Sequence, residues 1–177
     1  MSVPPPEPEA EMAGIAPGDV VTEQAGVHPG DAAHAALAAR AEIVAMTQAA
    51  HDAALKPKDA GGLSHAERAA LACRVARLNA DDGVATHYET LMRAASAPAE
   101  VERIADPAFK GEGRVGVLIA YTDLASTAPR DAGQGDIEAL KQAGIGDADI
   151  VRLAELVAFL AYQVRLVAGL RLLRRRA

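Results

Sequence analysis

Aromatic side chains make up only 3% of the 177 residues and tryptophan is absent. A core built around large rings is therefore excluded, and packing must rest on Ala, Leu, Val and Ile. Cysteine is nearly absent as well. Cys73 stands alone, so no intrachain disulfide can form. That usage fits a reducing compartment, and a cytoplasmic location is expected. An excess of basic charge is also missing. The net charge is -6, which argues against nucleic acid as a partner, since binding phosphates needs a basic surface. The opening MSVPPPEPEAEM has neither the basic start nor the apolar run of a secretory leader. The most apolar stretch, Leu153 to Leu173, is interrupted by Glu155, Gln163, Arg165 and Arg171. It reads as a buried helix, and no membrane partner is expected.

What the chain does have is hydrophobic content, 50% of all residues, much of it alanine. Alanine is the best helix former because it loses no side-chain entropy in a helix. The expected fold is all-α, a bundle of about six or seven helices. Residues 1–18 read as a disordered, acidic, Pro-rich tail, and 19–177 as one helical domain. Val20, Val21 and Val27 can pack on that domain. Asp31 is placed to cap a helix running to about Leu55, which Pro57 and Gly61-Gly62 end. Ser64-His65-Ala66-Glu67 is a capping box, followed by Leu71, Val75 and Leu78 at helical spacing. Asn79 to Gly83 is a joint, and a helix over 84–95 follows. Pro98 starts a short helix, 108–114 is a loop, and 115–127 is helical, although its β-branched content leaves a strand open. Asp136 caps a short helix that Gly144 ends. Asp147 opens the longest helix, to about Arg174.

That last helix carries two apolar stripes. One holds Ile150, Leu153, Val157, Leu160, Val164 and Ala168; the other holds Leu156, Phe159, Leu166, Leu170 and Leu173. A helix apolar on two faces must be covered on both, which predicts a homo-oligomer. Internal repetition is also visible. Leu63 to Leu78 aligns without gaps onto Ile145 to Leu160, matching Ala66, Leu71, Ala72, Val75, Ala76 and Leu78 with Ala148, Leu153, Ala154, Val157, Ala158 and Leu160. The terminal cluster Arg171, Arg174, Arg175 and Arg176 suits a helix C-terminus, where cations oppose the dipole.

The segment LSHAERAALACRVARLN resembles the start of the core motif in the alkylhydroperoxidase D-like/carboxymuconolactone decarboxylase (CMD) superfamily. The segment AGIGDADIVRLAELVAFLAYQVRLVAGLRLL is similar to that superfamily's last helices, and its ending is closest to the bacterial CMD domain proteins. The resemblance covers about residues 30–174. It implies an AhpD-like helical bundle. In the family's peroxidases a Glu, a Cys-x-x-Cys pair and a later His reduce peroxide, the thiolates doing the chemistry and the other two moving protons. Anchored on Leu63-Ser64 and Glu67-Arg68, the Glu position falls on Ala69, the cysteines on Asp81 and Val84, and the His on Tyr88. His87 is one residue off, and shifting to recruit it puts Ala80 and Gly83 at the cysteine positions. No register supplies a thiol, so the resemblance predicts the scaffold without dithiol peroxidase chemistry.

Among the remaining polar residues, His87 is the first choice for acid/base catalysis, with Asp81, Asp82 and Glu89 nearby, since histidine titrates near neutrality. It can equally be a hydrogen-bonded helix residue. Tyr88 either lines a pocket or packs. Asp81 and Asp82 do not face each other on a helix, and Asp81 can serve as an N-cap. Glu67 belongs to the capping box, and Cys73 reads as a buried, inert thiol. Tyr162, Gln163 and Arg165 are polar groups on an apolar helix. Arg165 should pair with a carboxylate at a helix or subunit interface, or bind an anionic ligand. His28, His34, His51 and His65 lack metal-ligand spacing, so neither a metal nor a cofactor is expected. The functional alternatives are a small-molecule binder, with decarboxylase- or isomerase-like proton transfer between helices, and a non-catalytic helical partner of an active alkylhydroperoxidase subunit.

Overall fold

The structure, a computed structural model, describes residue 15 and residues 18–175. Most of the expected tail, residues 1–18, lies outside that range. Among the described residues there are nine α-helices, two short 3-10 turns and no strand. The all-α expectation holds, but the helix count was too low. The single helix expected from Asp31 to Leu55 is two, α2 (Ala32–Ala38) and α3 (Ala41–Leu55), separated at Arg40, whose backbone leaves the helical region (φ -129°, ψ 31°). Residues near Val20 form a further short helix, α1 (Val20–Ala25). Asp19 caps it, accepting from the amides of Val21 and Thr22 at 3.0 and 2.9 Å.

Helix α4 (His65–Leu78) begins at the capping box as read: Ser64 Oγ accepts from the Glu67 amide, and Glu67 Oε2 accepts from the Ser64 amide at 2.8 Å. From Arg68 to Ala76 every residue is buried. Small side chains let neighbouring helices approach this one closely on all sides. Arginine occupies two of these interior positions. Arg68 donates to the carbonyls of Leu63, Ala54 and Ala60, tying α4 to the end of α3. Arg74, fully buried, forks onto the Asp123 carboxylate at 2.5 and 2.7 Å and also reaches the carbonyls of Ile104, Asp106, Pro107 and Phe109. A buried cation needs such complete pairing.

After α4 the chain turns through Ala80, a non-glycine residue at φ 54°, with the Asp81 amide reaching back to Ala76 O at 3.0 Å. Helix α5 (Asp82–Ala94) then lies antiparallel against α4. A short α6 (Ala99–Glu102) and a 3-10 turn lead to α7 (Gly113–Thr127), which is helical despite its β-branched content, and α8 (Gln134–Gln142) follows. Asp136 sits inside α8 and accepts from the Gly133 amide at 2.8 Å, so the helix starts two residues before the expected cap.

Helix α9 (Asp147–Arg175) is the spine. By length and composition it could cross a membrane, yet it packs against α1, α2, α3, α4, α7 and α8. Leu153, Leu156, Val157, Leu160, Val164, Val167 and Leu170 are buried, whereas Ala168 and Leu173, assigned to the two stripes, are exposed. The two segments of the internal repeat, α4 and the first half of α9, pack against each other. Of the terminal arginines, Arg171 and Arg174 complement a helix C-terminus, but that of α1: Arg171 donates to Gln24 O at 2.7 and 3.1 Å, and Arg174 to Gly26 O, while Arg176 lies outside the described residues.

Candidate functional site

α3 turns Val44, Thr47, His51 and Leu55 inward. His51 therefore sits on the apolar stripe and is 5% exposed. α5 presents Val84, Ala85, Tyr88 and Met92 to the core, with His87 half-buried at the edge of that face. Where the helices meet, Nε2 of His87 stands 3.4 Å from Nε2 of His51. On its other side, Nδ1 of His51 lies 3.0 Å from the Asp52 carboxylate. A carboxylate only accepts, so it assigns the proton to Nδ1 and leaves the His51 Nε2 lone pair facing His87. His87 Nε2–H then donates, and its Nδ1 is left as an acceptor.

Three of the chain's five aromatic residues collect around this pair. Tyr88 is 5.1 Å from His87 and 6.2 Å from His51, centroid to centroid; Phe159 is 6.0 Å from His51, and Tyr162 is 6.3 Å from Phe159. Burial pushes the His87 imidazole down to about 4, with the neighbouring His51 and Lys56 acting in the same direction. The ring is uncharged at neutral pH.

Tyr88 is fully buried, and its hydroxyl donates to Oε1 of Gln163, also fully buried on α9. Burial raises the phenol far above its ordinary range, against a smaller opposing effect of the bond to Gln163. Gln163 Nε2 has no partner among the described residues. Tyr88 therefore bonds within the core rather than lining a cavity.

Asp81 does not join His87. Its Oδ1 caps α5 by accepting from the Val84 amide at 3.1 Å, and its Oδ2 accepts from Arg171 at 2.8 Å. The acidic neighbour expected for His87 is thus supplied through His51, by Asp52. Glu89 is engaged with Arg77 and Arg93, and Glu67 with the capping box and Arg114. Tyr162 is exposed at the surface, its hydroxyl 3.1 Å from Thr47 Oγ1. Arg165 also departs from expectation. It is exposed and donates only to its own helix, at Ala161 O, with no carboxylate beside it among the described residues. An exposed guanidinium avoids the desolvation cost of a buried one, so no ion partner is required.

Cys73 is buried, 3.6 Å from the Ala85 carbonyl, and burial pushes its thiol up to about 11. A nucleophilic cysteine needs the opposite shift. Among the described residues, no three His, Cys, Asp or Glu side chains converge as a metal site.

A cleft of about 210 Å³ opens one helical turn beyond the histidine pair, lined by Leu55, Lys56, His65, Ala69, Leu91, Ala94 and Ala95. Leu55 follows His51 by four residues, and Leu91 follows His87 by four. The cleft therefore continues along the faces that carry the pair. Ala69 forms part of its wall.

His51 was passed over in the sequence because it lies 36 residues from His87, on a different helix. Its signal was positional: an imidazole on the stripe Val44, Thr47, His51, Leu55 had to find a polar partner in the interior.

Two solved structures share this architecture. An uncharacterized peroxidase-related protein from Silicibacter sp. TM1040 is 21% identical over 76% of this chain and 72% of its own, with a TM-score of 0.64. An uncharacterized peroxidase-related protein from Ralstonia eutropha JMP134, described as an alkylhydroperoxidase AhpD core, is 23% identical over 84% of this chain and 78% of its own, also with a TM-score of 0.64. No family model matches the sequence, and no curated protein matches it. The fold is thus that of the alkylhydroperoxidase AhpD core, as the sequence resemblance implied.

Proposed function

We propose that this chain is an AhpD-like/CMD superfamily protein that binds a small apolar or anionic molecule in the cleft beside His87. There the Asp52–His51–His87 chain moves protons, in decarboxylase- or isomerase-like chemistry, without thiols. The observation that carries this reading is the contact between two imidazoles from different helices, one oriented by a carboxylate, next to an apolar recess. The uncharged His87 ring can accept a proton on Nδ1 and release its Nε2 proton to His51, while Asp52 stabilises the charge that arrives on His51. Lys56 at the cleft's rim favours an anionic guest.

Octanoate, small, apolar and anionic, is the probe. The chain has no tryptophan, so Leu91→Trp places a sole reporter in the cleft wall. Its emission should change saturably with octanoate, and Lys56→Glu should weaken the response. An unchanged emission overturns the reading. In the same preparation, peroxide consumption with a dithiol reductant should match that of Cys73→Ser.

A second reading, a non-catalytic helical subunit, draws on the surface. Ile43 and Met46 on α3 and Tyr162 on α9 are 50%, 60% and 44% exposed, and the Thr47–Tyr162 contact makes them neighbours. Large apolar side chains grouped in this way mark an association surface. A second copy of this chain, or a related alkylhydroperoxidase subunit, would cover them.

A further inference from the structure

N–H···O hydrogen bonds in proteins normally span about 2.7–3.2 Å between heavy atoms. The two Nε2 atoms at 3.4 Å are wide for that bond. The ring centroids are 5.5 Å apart, about 2 Å farther than the nitrogens, so each Nε2 points at the other ring rather than past it. Two nitrogens bound at about 2.0–2.1 Å to one tetrahedral ion stand roughly 3.3 Å apart. The observed spacing is close to that separation, and a small turn of each ring brings both lone pairs onto one ion.

We propose that His51 and His87 form a two-imidazole site for a divalent first-row transition ion of the zinc–copper class. Water would complete the coordination.

Three further features support the assignment. Asp52 on Nδ1 of His51 is the carboxylate–histidine arrangement that fixes the tautomer and orients a ligating ring. His87 is held uncharged by its burial, as a ligand must be. The two rings stand on α3 and α5, both of which pack against α4, so the spacing is set by the core and not by a loop. With only two protein ligands, the remaining positions stay open to solvent, unlike a closed structural zinc site. Imidazole ligands suit zinc and copper, and copper binds the more tightly of the two. The ion would replace the proton shared between the rings, so the proton relay runs only in the metal-free protein. The site rests on the same pair as the proposed proton transfer, but it does not require the cleft to be occupied.

The test is calorimetric titration of the full chain with Zn(II) at neutral pH, with Cu(II) electron paramagnetic resonance alongside. One ion per chain is expected, and His51→Ala or His87→Ala should weaken binding at least about tenfold. Asp52→Asn, an exposed change that leaves the core alone, should weaken it about 10–100-fold. The Cu(II) spectrum should show coupling to two imidazole nitrogens in the parent and to one in either single variant. Circular dichroism establishes which variants are folded, and Asp52→Asn carries the test if a histidine variant is not. Binding no tighter than that of a His51→Ala, His87→Ala double variant, or unaffected by Asp52→Asn, overturns the proposal. The octanoate response of Leu91→Trp, measured with a chelator present, separates the two readings. If it persists while Zn(II) fails to bind, only the metal site falls.

Discussion

The Tyr88 hydroxyl on α5 donates to Oε1 of Gln163 on α9, and both side chains are fully buried. This bond crosses the core directly behind the histidine pair. Tyr88→Phe removes the donor and leaves the buried carbonyl of Gln163 unsatisfied, which should cost about 1–3 kcal/mol. Gln163→Leu should cost a similar amount. The double variant should be less destabilised than the sum, because an apolar pair leaves nothing to satisfy. Urea denaturation of the four proteins measures the coupling directly.

Acid should weaken the protein through His87. Its imidazole is pushed down to about 4 from an ordinary 6.5, so the unfolded chain binds this proton before the folded chain does. The stability that the neutral ring contributes is complete above about pH 6.5 and is lost as pH falls through about 4. Linkage caps the effect at about 3 kcal/mol, and the water reaching a half-buried ring lowers it. His87→Gln should flatten that part of the stability–pH curve, read from chemical denaturation at a series of pH values.

Arg74 ties the 3-10 turn and the loop before α7 to α4. Arg74→Met leaves the Asp123 carboxylate and four carbonyls without their donor. The expected loss is about 3–5 kcal/mol, the penalty for breaking a buried pair from one side. The thermal midpoint should fall correspondingly, and Asp123→Asn should fall less, because its amide oxygen can still accept from the guanidinium.

The exposed apolar residues on α3 and α9 predict self-association. Met46→Glu should shift the mass measured by light scattering toward the monomer without lowering helicity. An unchanged mass would assign the covering partner to another protein, or leave the surface free.

Much of this molecule was legible in its sequence. The capping box at Ser64, the N-cap at Asp81, the buried Cys73 and the long Asp147 helix each follow from a local rule acting on a few neighbouring residues. The break at Arg40 was not legible, because no glycine or proline marks it and the chain leaves the helix to seat α2 separately. The His51–His87 contact was not legible either. It joins residues far apart in the chain, and its chemistry depends on an angle between helices that no local pattern records. Arg165 misled for a related reason: its place among apolar neighbours suggested burial, but it faces outward from α9.

The account centres on His51 and His87 as a contacting pair in which burial keeps the His87 ring uncharged. Its most direct test is the imidazole titration of each histidine followed by nuclear magnetic resonance. The His87 ring should titrate near 4, chiefly because it is buried, and should rise by a smaller amount in His51→Gln, which removes only the second cause. A His87 that titrates near 6.5 in the parent, indifferent to His51, would contradict it.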